Sequence, residues 1–341
     1  MLIVYWWGMR LFMSDFCRKL SIWFIAVRGY SFPISIMSWV VPFIFSFLKG
    51  GNVFYGILAL VAIVLLHAGS NIFDDVVDYY MEKRSIDKGL KQNFNFQKNK
   101  CACIFDGSLT FKEYCFASFI LFLIPLLIGL YFVLIYGTGL LPIIIITAIL
   151  CLLYPILGSL GLGEVIVAVV FSPLLYLGVS YVMTGVYTID VLLISISTGL
   201  LTVSVLHNHM LLDFKFDEKN RKITLCRLCK TQKRALYLLC FIILASYLNI
   251  IISVIFRLLS PIYLITLLSL PTAITLYNVM SMHIENSETE IKPTLFMGNI
   301  REIYNVPVEQ RGFLIKFLIV RNLLSIFTLL ICISIVLDKL L

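Results

Sequence analysis

Long apolar stretches alternate with short polar ones along this chain, and the apolar stretches set the architecture. Nine of them run at about 22–47, 53–80, 113–135, 139–157, 163–184, 188–213, 235–256, 260–281 and 314–338. Each is long enough to cross a bilayer, which takes roughly 20 apolar residues in a helix. A segment in hydrocarbon must satisfy its own backbone polar groups, so every span is predicted to be helical. The joints near Gly50-Gly51, Gly137 and Gly185 predict helical hairpins. The expected fold is all-α: a polytopic membrane bundle of about nine transmembrane helices, two four-helix halves plus one, in a single domain over residues 1–341. Residues 1–21 carry aromatic and basic side chains without a small-residue cleavage site after a clean apolar core. They predict an interfacial segment rather than a cleaved leader.

Composition strengthens this reading. Of the 341 residues, 60% are hydrophobic, and the mean hydropathy is +0.99. A net charge of +8 could suggest nucleic acid as a partner, but the positions of the charges argue against it. Lys83, Arg84, Lys88, Lys91, Lys98, Lys100 and Lys112 follow the second span, and Lys219, Arg221, Lys222, Arg227, Lys230, Lys233 and Arg234 follow the sixth. The opposite ends of the spans offer little beyond Lys49, Arg257 and Lys339. Such asymmetry is the positive-inside pattern. It predicts an integral membrane protein with a cytoplasmic N-terminus and no nucleic-acid partner; the expected setting is a prokaryotic plasma membrane. The nine cysteines are mostly single residues in apolar segments. Cys101-x-Cys103 and Cys226-x-x-Cys229 are paired, and a Cys₄ zinc site is conceivable, but the spacing is loose and no His accompanies it, so ordinary thiols are expected.

Candidate chemistry lies in two acid clusters, one at the end of each span that a basic loop follows. The first contains Asn71, Asp74, Asp75, Asp78 and Glu82; the second contains Asn208, His209, Asp213, Asp217 and Glu218. Acids at membrane depth are costly and therefore point to function. Asp74, Asp78 and Glu82 recur at helical spacing on one face, with Asp75 beside them; His209, Asp213 and Asp217 repeat the pattern. Carboxylates this crowded repel unless a cation intervenes. A helix C-terminus disfavours them further. Hard oxygen ligands select Mg²⁺, which commonly bridges to phosphate. One Mg²⁺–diphosphate site built from both clusters is expected, opening to the cytoplasm, with Lys98, Lys100, Lys222 and Arg227 available to offset diphosphate charge. Arg28 lies near the start of the first span, where it either faces the bundle interior or snorkels to the interface. Glu164 opens the fifth span, where an acid suits a helix N-terminus.

The run Asp74-Asp75-x-x-Asp78-x-x-x-Glu82 resembles the first signature of the UbiA-type intramembrane prenyltransferases, Asn-Asp-x-x-Asp-x-x-x-Asp. Asp213-x-x-x-Asp217, trailed by Lys222, Thr224 and Leu225, resembles the second. Arg28 and Pro33 suit the first helix of that family. Leu160-Gly-Leu-Gly-Glu164-Val, Ser172-Pro-Leu-Leu and Gly178-Val-Ser-Tyr-Val-Met-Thr-Gly185 look like the branch that prenylates 1,4-dihydroxy-2-naphthoate in menaquinone synthesis. The chain departs from the pattern at Asp74, which replaces Asn, at Glu82, which replaces the last acid, and at Arg221, where that branch usually has Gly. The resemblance implies catalytic roles for Asp75, Asp78, Asp213 and Asp217 and metal ligation by these four together with Asp74 and Glu82. It implies substrate contacts from Asn71, Arg28, Lys222, Arg227, Asn208 and Tyr154, with Tyr154, Tyr176 and Tyr181 as candidate cavity lining. The implied partners are a polyprenyl diphosphate, a lipophilic aromatic acceptor and membrane lipid. Two alternatives remain open. The same fold could serve another phenol, a glycerol phosphate or a porphyrin, or the acids could form the ion site of a transporter. A transporter more often places its acids at the bilayer midplane on interrupted helices.

Overall fold

The computed structural model describes residues 15–87, 101–219, 222–285 and 293–341. Helices dominate from one end to the other: α1 (Asp15–Ala26), α2 (Phe32–Leu48), α3 (Val53–Asp87), α4 (Ala102–Phe105), α5 (Phe111–Tyr136), α6 (Leu141–Ser159), α7 (Gly163–Val169), α8 (Leu175–Thr184), α9 (Ile189–Leu212), α10 (Phe214–Lys219), α11 (Leu225–Leu228), α12 (Gln232–Ile255), α13 (Leu270–Ile284) and α14 (Val308–Leu340). Among the described residues, eight continuous helical stretches are long and apolar enough to cross a membrane. One of these, Phe111–Ser159, has 49 residues, about 74 Å at ~1.5 Å per residue and far more than one ~30 Å hydrocarbon core. It resolves into α5 and α6, joined by a 3-10 turn at Gly137–Leu140. Gly137 has φ 74, a left-handed value that costs glycine little and ends α5. Most of the apolar spans read from the sequence correspond to helices; the first, expected over 22–47, is instead broken at Arg28 between α1 and α2, and the eighth opens with a 3-10 stretch, Pro261–Ser269, before α13.

The chain divides into two compact units, Met1–Ile36 with Leu58–Ile156, and Met37–Ile57 with Leu157–Leu341. In the first, Ile22, Ile25 and Ala26 of α1 pack with Ile72 of α3, Cys103 of α4, Leu109 and Tyr114. Thr110 and Glu113 form a capping box that starts α5: the Thr110 hydroxyl accepts from the Glu113 amide, and the Glu113 carboxylate accepts from the Thr110 amide. The outer face of α5 carries Phe116, Phe119 and Leu134, all exposed, as suits a surface solvated by lipid tails.

In the second unit α9 is the central helix, packed against α7, α12 and α14. Lipid tails are as apolar as leucine, so helices in a membrane gain little from apolar contact alone and associate through close packing and polar bonds. Ser197 Oγ donates to the Ser246 carbonyl at 2.9 Å, and Asn249 donates to the Leu193 carbonyl and to Ser197 Oγ, each at 2.8 Å. Between α7 and α8, Pro173 lies in a single π turn, Val170–Leu174. Proline lacks the amide that a regular turn would use, and the extra residue accommodates it. This turn presses Ser172 onto α9. Ser172 Oγ donates to the Ser195 carbonyl at 2.6 Å, and a Cβ on Gly199 would collide with the Ser172 side chain. The Ser172-Pro-Leu-Leu run is thus a helix-packing device here. Gly199→Val should cost about 1–3 kcal/mol through overpacking, read as a lower thermal unfolding midpoint in detergent; an unchanged midpoint would refute this close approach.

Candidate active site: two acidic helix ends

The first acid cluster sits on α3 within the first unit. Asp74 lies about 32 Å along the helix from Val53, close to one hydrocarbon thickness of ~30 Å. The helix does not end there: it runs on to Asp87. Asp74 and Asp75 are buried, each with 4% of its surface exposed, while Asp78 is half-buried. The cation that meets them is Arg28. It follows α1 with φ 54, a left-handed conformation unusual for a non-glycine residue and often found where function constrains the backbone. From there its guanidinium donates to Asp75 Oδ1 at 2.6 Å and, through two nitrogens, to Asp74 Oδ2 at 3.3 Å. Burial opposes the Arg28 charge, and the two carboxylates at 2.6 and 3.3 Å offset it. Arg28 therefore faces the unit's interior. Tyr154 is close enough to feel that charge.

Asn71 and Cys101 hold this end of the helix in place. The Asn71 amide donates to the Val27 carbonyl at 2.9 Å, one residue before Arg28, and Cys101 Sγ donates to the Asp75 carbonyl at 3.2 Å. His67, a turn before Asn71, was not a candidate in the sequence reading. Its ring bonds Ser31 at 3.2 Å and Ser35 at 2.7 Å, which fastens the start of α2 to α3. The visible signal was its spacing: His67, Asn71, Asp75 and Asp78 recur at three- and four-residue steps along one face. The Glu82 side chain, Lys88, Lys91, Lys98, Lys100 and Arg221 lie outside the described residues.

The second cluster lies in the second unit, where the helix read through Asp213 is broken. Helix α9 ends at Leu212, Asp213 caps it, and α10 begins at Phe214. Two backbone bonds keep helical spacing across the break, Asp213 to His209 at 3.1 Å and Asp217 to Asp213 at 2.8 Å. His209 Nε2 is 3.5 Å from Asp213 Oδ2, and both side chains are largely exposed. Asp217 is buried, 3.7 Å from the Lys222 ammonium through Oδ1. Its Oδ2 is buried with no hydrogen-bond partner among the described residues. Burial raises its pKa above the usual carboxylate value; Lys222 pulls the other way and Asp213 adds to the rise. Arg227 pairs with Glu218 at 2.7 Å and lies over the Phe214 ring. Asn208 is fully buried, and its amide donates to the Lys316 carbonyl of α14 at 3.3 Å. Tyr176 is buried, and Tyr181 stacks on Tyr187 with ring centroids 4.4 Å apart.

Together these features define a polytopic helical membrane protein with two oxygen-rich, partly cation-paired acid clusters, one within α3 and one at the junction of α9 and α10. The sequence profile of the UbiA prenyltransferase family matches residues 29–300, and the chain belongs to that family. It is a prenyltransferase. Among solved structures it is similar to digeranylgeranylglyceryl phosphate synthase in membranes, with TM-score 0.60 and 16% identity over 93% of this chain and 99% of that one. It is also similar to a UbiA homologue from Archaeoglobus fulgidus bound to GPP and Mg²⁺, with TM-score 0.53 and 14% identity over 91% and 99%. At these identities the likeness is one of fold. A search of curated proteins gives no significant match.

Replacing Arg28 by Ala should remove the guanidinium that pairs with two buried carboxylates, at a cost of about 3 kcal/mol. Asp74→Asn should cost under ~1 kcal/mol because the shorter Asp75 contact survives. Thermal unfolding of both variants in detergent checks this; equal losses would contradict the ranking.

Proposed function

We propose that this protein transfers a polyprenyl group from a polyprenyl diphosphate to a lipophilic aromatic acceptor, with Mg²⁺ as cofactor and 1,4-dihydroxy-2-naphthoate as the favoured acceptor. The observation that carries the reading is the pair of acid clusters in a chain matched by the UbiA family profile over most of its length. Asp75, Asp78, Asp213 and Asp217 offer only oxygen donors, the set a hard divalent cation prefers. The buried, unbonded Oδ2 of Asp217 is an acceptor suited to such an ion. Asp74 and Glu82 belong to the same proposed ligand set. When bound, Mg²⁺ supplies Lewis-acid stabilisation of the departing diphosphate.

The chain's own residues do the rest. Lys222 and Arg227 add positive charge where diphosphate forms. Arg28, Asn71, Asn208 and Tyr154 are the proposed substrate contacts, and Asn71 and Asn208 also fix the helices that carry the acids. The allylic C–O bond breaks and diphosphate leaves with the electron pair; a ring carbon of the acceptor forms the new C–C bond, and the ring regains aromaticity by releasing the proton, or CO₂ where that carbon bears the carboxyl group, from the same carbon. An apolar surround keeps water from the allylic cation. The naphthoate reading rests on the residues at 160–165, 172–175 and 178–185. A glycerol-phosphate acceptor is the second reading, favoured by the likeness to one structural neighbour, a digeranylgeranylglyceryl phosphate synthase. The proposed setting is a prokaryotic plasma membrane, with the site opening to the cytoplasm.

Purified protein in detergent with Mg²⁺ should convert geranylgeranyl or longer diphosphates and 1,4-dihydroxy-2-naphthoate to a prenylated product seen by mass spectrometry. Turnover only with a prenylated glycerol phosphate would transfer the assignment to the second reading. Activity should vanish in excess chelator, and Asp75→Ala, Asp78→Ala, Asp213→Ala and Asp217→Ala should each lower turnover by about two orders of magnitude or more. Near-normal turnover in two of the four would show that the acids have been misassigned.

A further inference from the structure

Three side chains outside the proposed active site converge in the second unit. Glu164 lies in the first turn of α7, His207 in the last turns of α9, and Cys226 in α11. All three are buried: Glu164 is 1% exposed, and His207 and Cys226 are 0% exposed. Their potential ligand atoms lie within 4.8 Å of one another. Glu164 Oε1 is 3.5 Å from His207 Nδ1, and Cys226 Sγ is 3.4 Å from the same nitrogen. A tetrahedral ion with bonds of ~2.0–2.3 Å to oxygen, nitrogen and sulfur separates its ligand atoms by about 3.3–3.6 Å. The two shortest edges of this cluster already have that size.

Hydrogen bonding alone does not account for the arrangement. Neither Glu164 oxygen has a hydrogen-bond partner among the described residues. A carboxyl group buried in that state is costly whether or not it is ionised, and far more so when charged. Glu164 does stand in the first turn of α7, where an acid suits the helix N-terminus, but that field does not replace the hydrogen bonds its two buried oxygens lack. The other ring nitrogen of His207, Nε2, lies 3.0 Å from the Ala235 carbonyl. A proton on Nε2 leaves Nδ1 unprotonated beside Glu164, and an outer hydrogen bond of this kind is usual for metal-ligating histidines; Cys226 Sγ lies beside the ring, 3.4 Å from Nδ1 and 3.5 Å from Nε2, and donates to the His207 carbonyl at 3.4 Å. One thiolate and one carboxylate cancel the charge of one divalent cation, so the occupied site is neutral, as burial requires. Sulfur and nitrogen donors exclude Mg²⁺ and select zinc or a similar ion.

We propose that Glu164, His207 and Cys226 form a buried zinc-class metal site that staples the segment following the second acid cluster onto α7 and α9. The site has three protein ligands and leaves the fourth corner to a small exogenous ligand. It is distinct from the four-cysteine arrangement conceivable from sequence. Cys226 finds His and Glu partners inside its own unit, and Cys229 turns away to donate to the Leu225 carbonyl at 3.4 Å. The position gives the ion a purpose. Helix α11 begins three residues after Lys222 and carries Arg227, so anchoring Cys226 fixes the stretch that presents both cations beside Asp217.

The test is metal analysis of the full-length protein, purified in detergent with no chelator and no added zinc. About one zinc per chain is expected by mass spectrometry of the metal content, falling about tenfold or more in Cys226→Ser and His207→Gln. Asp217→Asn should keep its zinc, which separates this site from the acid cluster. Zinc that persists unchanged in Cys226→Ser would be an adventitious ion only and would overturn the proposal. Because a variant that loses a structural ion can unfold, wild-type protein stripped by chelator and reloaded with Co²⁺ gives a second reading. A thiolate-to-cobalt charge-transfer band in the near ultraviolet is expected; its absence, or less than about a tenth of a zinc per chain at isolation, would refute the site.

Discussion

A charge carried into an apolar bundle must be answered by another charge or by hydrogen bonds, because hydrocarbon offers neither. The Arg28 bracket over Asp74 and Asp75 is where this constraint is met in the first unit, and much of the local structure follows from it. The guanidinium reaches both carboxylates because Arg28 sits in a left-handed turn between α1 and α2. That turn is held by Asn71 on the preceding carbonyl and by the Ser31 hydroxyl on the Arg28 carbonyl. His67 then binds Ser31 and Ser35, so the polar seam continues a turn deeper. One ion-pair network orders the junction of three helices.

The second unit meets the same constraint less completely. Asp217 has one oxygen near Lys222 and one with no hydrogen bond among the described residues, and its carboxyl is pushed toward the neutral form by burial. Where a chain leaves a buried acceptor unsatisfied, a role for it is expected, because the desolvation cost is real. In the proposed reaction that role is ligation of a cation which arrives with its diphosphate. Within the first unit Asp74 and Asp75 meet a built-in arginine, and within the second Asp217 keeps one buried oxygen without a hydrogen bond among the described residues.

The spans and the acid clusters were legible in the sequence because each rests on local information, namely the length of apolar runs and the three- and four-residue spacing of carboxylates. Arg28 was legible as a charge within a span but not as a partner of Asp74, since that pairing depends on a left-handed turn at a residue that is not glycine. The helix break at Asp213 was illegible because no Gly or Pro marks it. Glu164 and His207 gave no sign of their meeting with Cys226. They lie on separate elements brought together by the tertiary packing of α7, α9 and α11, and no short motif encodes that. Ser172 and Pro173 were read as a family resemblance, and their physical content proved to be a π turn set against Gly199.

Apolar-run lengths alone place both acid clusters at helix C-termini, where an anion is disfavoured and a cation is expected. The structure separates the two cases. Helix α3 continues to Asp87, so Asp74 and Asp75 are more than two turns from its end, and the terminal dipole field falls off within about one turn. Desolvation rather than the dipole is what makes them costly, and Arg28 offsets it from outside the helix. Asp213, by contrast, caps α9 itself and does face the negative end of a helix. It is exposed enough for solvent to screen it, and His209, one turn earlier, stands 3.5 Å away. Breaking the helix there also places Asp217 in the first turn of α10, where the positive end of a new helix favours an anion. A continuous α9 would have left Asp217 in a terminal field that opposes its charge. The break is therefore part of how the sequence keeps an acid ionisable where burial works against it.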